Sequence, residues 1–468
     1  MLDASGSATL VAALVTLGCA ACAPTREDDR AAWLQHTLTL DHQDLIARDP
    51  DLVAGKYAKM ARTPYEFFRG TLPQFVRDLG ELSTSTTTSG GAGWSILLVG
   101  DPHPENIGTY RAGDARVWLD FNDFDASRPG PYHLDVWRLG QGFDVLLRQT
   151  PGVDDATRRR AVRAVASGYV AELTLLASGS YTAVDETAGT IVADLVRRAT
   201  RDGDQREELD DYTETSSDTP RRLVRGEQVE RTDPRVIEEE LWDPGQARAW
   251  IAEAVAHEWP QTLAHADTAS VTVLDVARHL GAGVSSYPLE RYYVLVDGPG
   301  DDDVLLEAKE IRDPPSLPGL PALPARQHAN NAARVVDHAR RLQLYPDDDP
   351  YLGWVSRGAF ALRIRHRTKY QRGFDAARLA DQWAAGDWTA DDVVDFAESA
   401  GRLLARAHGR TPTLAGGAAV DTIRAAMGAD FVEEAAQAAQ QWGTTTLADY
   451  HSFLTLLDTQ GPLLGARP

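Results

Sequence analysis

Cysteine is almost missing from this chain of 468 residues: the two present, Cys19 and Cys22, fall within the first 22 positions. Intrachain disulfides are therefore excluded from everything downstream. Positive charge is also scarce, 47 Lys and Arg against 69 Asp and Glu, for a formal charge of -22. Such a surface repels phosphate backbones, so no nucleic-acid partner is expected, and solubility is the plain reading of the acidity. After the N-terminus no stretch reaches the ~18 apolar residues that a membrane-spanning helix requires. What is present, 43% apolar and 25% charged residues with 11 Trp, describes a globular chain longer than one ordinary hydrophobic core can use.

The first 25 residues stand apart. ATLVAALVTLGCAACAP is an apolar run ending in small residues and switching to TREDDR, which reads as a bacterial lipoprotein leader with Cys19 or Cys22 as the lipidated thiol. It departs from that pattern in carrying Asp3 and no Lys or Arg in the first seven residues, and in lacking Leu three positions before either cysteine. Export on a lipid anchor is the favoured expectation. The alternative is a cytoplasmic protein behind a mis-assigned start codon.

Four spans follow from texture: the leader at 1–25, a helical lobe with a catalytic loop at 26–265, a small sheet lobe at 266–375 and a helical region at 376–468. Residues 29–82 are helical in periodicity, with Thr63-Pro64 marking a helix start. Strand-like runs at 94–99 and 116–121 flank a polar loop, and helical patterns return at 133–178 and 185–203. Residues 203–235, charged and poor in apolar side chains, read as an excursion or lid. VTVLDVARHL, RYYVLVDG and VLLEAKEI then read as three antiparallel strands joined by a glycine turn and an acidic turn. Prolines at 314–324 lead into the helix NNAARVVDHARRLQ, two further strands are expected within 353–366, and helix from Ala376 on. No internal repeat is apparent, and the sum is an α+β protein.

The chemistry concentrates in LVGDPHPENIGTYRAGDARVWLDFNDFD, residues 98–125. Asp101 precedes Asn106 by five residues, the offset that kinases use between a base and a metal ligand. A carboxylate must sit beside the attacking hydroxyl, and an amide oxygen one turn on suits Mg²⁺, which prefers hard oxygen donors. His103 lies between them and is read as orienting the loop by hydrogen bonding. Fourteen residues after Asn106, a second strand ends in Asp120-Phe121-Asn122-Asp123-Phe124-Asp125, whose first carboxylate is placed to bridge metal and phosphates. Each half alone is weak, and a carboxylate cluster is more often a solvated turn; joined in order they indicate a metal-phosphate site. Asp135, just before a helix, is read as bracing the loop through backbone N–H groups.

A cover for a nucleotide follows about 170 residues later. Gly281-Ala282-Gly283, with Val284-Ser285-Ser286, lets backbone N–H groups approach phosphate. Lys309 in an apolar strand needs a phosphate or carboxylate partner, and Asp337 is the only carboxylate in NNAARVVDHARRLQ that could supply the pair. Alone, the glycine turn is most simply a hairpin and the lysine a side chain reaching solvent. In ordinary kinases these parts precede the catalytic loop, so the order here reads as a circular permutation.

GDPHPENIG, WLDFNDFDASRPGPYHLDVWRL, GAGVSSYPLERYYVLVDG, LLEAKE and RVVDHARRLQ, with KYAKMARTPYEFFRG upstream, resemble in that order the bacterial domain-of-unknown-function 2252 family, over about residues 38 to 412. The resemblance implies a kinase-like fold, similar in its Asp-x-His-x-x-Asn loop to aminoglycoside and choline phosphotransferases, with no established substrate. It implies Asp101 as the base, Asn106 and Asp120 as metal ligands, Asp123 as a second acid and Lys309 as phosphate anchor. The chain departs from the family where Val284-Ser285-Ser286 replaces a third glycine and where Asp337 replaces a longer Glu; both bear on nucleotide affinity.

The leading expectation is an ATP- and Mg²⁺-dependent phosphotransferase acting on an unknown small molecule. Arg62, Phe67, Phe68 and Arg69 are candidates to line the acceptor pocket, with helix packing as their simpler role. AMP transfer on the same fold, and a degenerate binding module that an exported location would favour, are the alternatives. A metallophosphoesterase is disfavoured because the 12 histidines form no metal-binding cluster with Asp; His408 is read as packing or capping its helix. Oligomeric state has no signature.

Overall fold

The computed structural model describes residues 29–82, 96–111, 116–182, 184–203, 205–216, 219–224, 235–237, 244–265, 270–298, 303–316, 328–343, 349–411 and 418–467. The leader, with both cysteines, and the Ser/Thr-rich run after Leu82 lie outside them.

Short helices open the described chain: α1 (Arg30–Asp41), α2 (Gln43–Arg48), α3 (Pro50–Met60), α4 (Pro64–Gly70) and α5 (Leu72–Leu82). Their starts are encoded locally. Asp29 accepts from Ala32 N, Asp49 from Leu52 N and Thr63 from Glu66 N, satisfying first-turn donors, and Pro50 and Pro64 sit where a missing N–H costs nothing. Next come β1 (Ile96–Leu98), β2 (Ile107–Arg111), β3 (Val117–Phe121) and β4 (Arg128–Gly130), which form two antiparallel ribbons, β1 with β4 and β2 with β3. Helices α6 (His133–Gln149), α7 (Asp155–Ala177) and α8 (Thr190–Asp202) follow. The 133–178 periodicity breaks at Pro151, which cannot continue a helix, and Asp154 caps the restart on Thr157 N.

The remaining elements are α9 (Gln205–Tyr212), β5 (Thr213–Ser216), β6 (Thr219–Leu223), β7 (Arg235–Ile237), α10 (Pro244–His257), β8 (Val273–Leu280), β9 (Arg291–Val296), β10 (Val304–Glu310), α11 (Asn331–Leu342), β11 (Gly353–Arg357), β12 (Phe360–His366), α12 (Ala376–Ala385), α13 (Ala390–Arg410), α14 (Ala419–Ala426) and α15 (Phe431–Gln460). Six strands make one antiparallel sheet in the order β11-β12-β10-β9-β8-β7. The class is α+β, as expected.

Alternation along β10 explains how the sheet meets the rest of the molecule. Val304, Leu306 and Ala308 pack with Ile251, Val255 and Trp259 on one face. Leu305 packs on the other face with Leu209 and Leu223, so 205–224 is not a free excursion: its few apolar residues cover the sheet. Helix α10, expected in the helical lobe, packs through Ile251 and Val255 into the sheet's core. The larger core joins β1–β3 and α6–α8 to α11–α15, while α1–α4 pack on α15. Among the described residues no helix is long and apolar enough to cross a membrane.

Candidate functional site

The loop between β1 and β2 is held from below. Asp135, in the first turn of α6, accepts from Val99 N at 2.7 Å and Gly100 N at 3.2 Å, and receives His408 Nε2–H at 3.0 Å. The other imidazole nitrogen, Nδ1, lies 2.9 Å from the Tyr169 hydroxyl. Asp135 and His408 are both buried, so this chain positions the loop and touches nothing in the cavity above. Gly100 has φ 100°, and a β-carbon there would lie 2.1 Å from the Ala126 carbonyl oxygen. Glycine is required because the loop bearing Asp101 runs against the loop bearing Asp125.

Asp101 receives Arg138 Nε–H at 2.7 Å. Burial pushes its carboxyl above the usual range, and the Arg138 guanidinium pulls against that shift. Arg138 also donates to Phe68 O at 2.8 Å and stacks 3.7 Å from the Phe68 ring centroid. The Asn106 amide donates to Asp101 O at 2.8 Å, which leaves the amide's oxygen available to a cation. His103 is buried beside the edges of Tyr65 and Phe68, with Nδ1 lacking a partner. Burial, helped by Arg69 and Arg138, holds its pKa well below normal. Tyr65 and Phe68 hold the imidazole here by ring packing.

The two acids of the second strand separate. Asp120, opposite Gly108 in the β2–β3 register, is buried with its carboxylate accepting from Phe121 N. The cavity wall is formed instead by Asp101, His103, Asn106, Asp123 and Asp125. Strand alternation decides this: Asp120 still lies within β3, whereas Asp123 and Asp125 follow its end and are free to turn toward the sheet. Of the candidate metal ligands Asn106, Asp120 and Asp123, the first and last therefore face the cavity, with Asp125 beside them, and Asp120 does not.

Lys309 lies on the β10 face that carries Leu305 and Glu307, and its ammonium is 2.5 Å from Asp125 and 3.6 Å from Asp123. Desolvation opposes ionisation of Asp123, but Lys309, Arg363 and Arg365 hold its carboxyl far below the usual range. Arg363 and Arg365 are held in turn by buried Glu307, at 3.1 and 3.2 Å. Asp337 does not pair with Lys309. Its carboxylate meets Arg341 one turn along α11 at 3.1 Å, and the shorter Asp sits on a partly exposed face of the helix. Helix α11 engages the site through Arg334, which donates to Asp125 O at 2.9 Å and Ser127 O at 2.6 Å.

Gly281 and Gly283 adopt φ 72° and 74° in the β8–β9 turn. Gly283, Val284, Ser285 and Ser286 line the same cavity, of about 570 Å³, as Asp101 and Lys309. The Ser285 hydroxyl donates to Arg69 O at 2.5 Å, tying the turn to α4. Of the acceptor-pocket candidates only Arg69 lines the cavity: Phe67 packs on Tyr450 and Phe453, and Phe68 lies under Arg138. No motif in the sequence had singled out Arg138, Arg334 or Lys56, and Asp125 was legible only as the last acid of the 120–125 cluster. A signal existed for Arg138, an arginine between Trp137 and Leu139 on a helix that buries Val136, Leu139 and Phe143.

No curated protein and no solved structure matches the chain. Residues 48–456 match the model of a family described as "Uncharacterized protein conserved in bacteria". That match takes in the loop, the sheet with Lys309 and most of the helical layer, and the chain accordingly belongs to the domain-of-unknown-function 2252 family (DUF2252).

Proposed function

We propose that this protein is an ATP- and Mg²⁺-dependent phosphotransferase acting on a small-molecule acceptor, on a kinase-like framework with permuted order. The observation that carries the reading is the convergence in one cavity of Asp101 and Asn106 from one loop, Asp123 and Asp125 from another, and Lys309 with the glycine turn from the sheet. The donor set suits Mg²⁺: an amide oxygen and two carboxylates, all hard oxygens, beside a lysine. Asn106, Asp123 and Asp125 would hold the ion, which when bound shields the charge between phosphate oxygens.

Lys309, now on Asp125, would turn to a phosphate oxygen. The Asp101 oxygen not held by Arg138 accepts the acceptor's hydroxyl proton as the new O–P bond forms and the bond to the leaving ADP oxygen breaks. A raised pKa makes Asp101 a stronger base, and Arg138 keeps it ionised and fixed. The glycine turn closes the cavity from above.

Isothermal titration of ATP with and without Mg²⁺ tests this directly. Magnesium-dependent binding, abolished in Asp123→Ala, is expected. No binding at millimolar nucleotide would refute the reading. With an acceptor in hand, a mass gain of phosphate and not of AMP separates phosphoryl from nucleotidyl transfer.

A further inference from the structure

Past the glycine turn, the cavity continues to a wall containing Lys56, Arg69, Arg77 and Arg312. The two outer arginines are committed, Arg77 to Asp41 and Arg312 to Asp44. Lys56, on α3, is different. It is 4% exposed, and among the described residues no carboxylate forms an ion pair with it. Its ammonium lies 2.8 Å from His42 Nε2 and 3.3 Å from the Ser285 carbonyl. His42 Nδ1 is 2.8 Å from Leu38 O and needs its hydrogen for that contact, so Nε2 can only accept. An ammonium has three N–H groups, and two are used. The Asp41 carboxylate acts on Lys56 only at a distance and is already held by Arg77, and a buried cation without an ion-pair partner of its own is costly to fold and persists where a ligand supplies the charge.

Arg69 is the second incomplete cation. Its terminal nitrogen meets Glu105 at 2.5 Å and Glu66 at 3.3 Å, yet its buried Nε has no acceptor. Ser285 stands between the two: its carbonyl takes Lys56, and its hydroxyl donates to the Arg69 carbonyl. Two cationic groups with unused donors thus flank the tip of the glycine turn, on the α3–α4 side of the cavity and away from the Lys309 strand.

We infer that this end of the cavity is a second anion subsite, in which Lys56 and Arg69 take a carboxylate or phosphate carried by the acceptor. The inference rests on the transfer reaction proposed above and narrows its substrate to a small acid bearing a hydroxyl. A neutral polyol would leave Lys56 without an ion-pair partner, and a cationic acceptor of the aminoglycoside or choline kind would place a like charge beside it.

Inorganic phosphate is the probe, titrated calorimetrically into the full chain, alone and saturated with Mg²⁺ and a non-hydrolysable ATP analogue. One phosphate is expected to bind in both cases, at least tenfold more weakly in Lys56→Met and nearly as well in Lys56→Arg. Lys56→Met is expected to melt no lower than wild type, since it removes a buried unpaired charge; Lys56→Gln replaces it if folding fails. Displacement of phosphate by the ATP analogue would assign the anion to the nucleotide and overturn the proposal, as would undiminished binding in Lys56→Met. If the analogue does not bind at all, the transfer reading fails on its own, and Lys56-dependent phosphate binding to the free protein still decides the subsite.

Discussion

Replacing Asp135 by alanine removes the acceptor of three buried donors, Val99 N, Gly100 N and His408 Nε2. Each buried donor left without a partner costs about 1–3 kcal/mol, and losing one member of a buried charged contact costs about 3–5 kcal/mol. The contacts share one carboxylate and one loop, so the losses do not add in full, and about 4 kcal/mol is the expected destabilisation. With an unfolding entropy of about 2.1 cal/mol/K per residue, that corresponds over this chain length to a fall in Tm of roughly 4 °C by calorimetry. Asp135→Asn keeps one carbonyl oxygen in the same place and is expected to lose about half as much. Because the carboxylate supports the backbone immediately before Asp101, Mg²⁺-dependent nucleotide binding should weaken in Asp135→Ala as well. A loss of less than 1 kcal/mol in that variant would refute the reasoning, since the three N–H groups would then have found other partners.

The second-strand acids should behave oppositely: Asp123→Ala abolishes Mg²⁺-dependent ATP binding while the fold persists, whereas Asp120→Ala chiefly lowers Tm, and equal effects on binding would contradict the assignment to Asp123. Gly100→Ala is expected to cost at least ~2 kcal/mol, because a left-handed φ and a β-carbon against Ala126 O cannot both be relieved without separating the two loops; urea denaturation measures it. Removing the Arg138 guanidinium in Arg138→Met takes away the pull that opposes burial on Asp101, so the acidic limb of a pH–rate profile should move to higher pH. Burial holds Lys56 down at about 8, below its unfolded value. Between that pH and about 10.4 the unfolded chain binds the extra proton, so wild-type stability should rise with pH relative to Lys56→Met, by up to ~3 kcal/mol. A pH-independent difference between the two proteins would show that Lys56 is not desolvated as described.

The α+β class, the helical span from Asp29 to Leu82, the helix start at Thr63 and the three strands around the glycine turn were legible in the sequence because each rests on local periodicity or capping. So was the grouping of Asp101 with Asn106, which five residues of one loop enforce. Other features depended on which face of an element turned inward. Asp120 and Asp123 are equivalent as text; the end of β3 separates them, leaving the first behind the strand and directing the second to Lys309. Asp337 looked like the partner of Lys309 because it was the only acid on the right helix, yet its orientation on α11 gives it to Arg341, and an acid distant in sequence, Asp125, takes the lysine. Arg138, Lys56 and the His408–Asp135 contact join residues far apart in the chain, and no local pattern marks such pairs. The sequence by itself determined the elements with a clear local period and the grouping of polar residues in the loop; the packing of α3, α4 and α6 against that loop and the sheet decided which charges share the cavity, because burial and counter-charge exist only once distant segments meet.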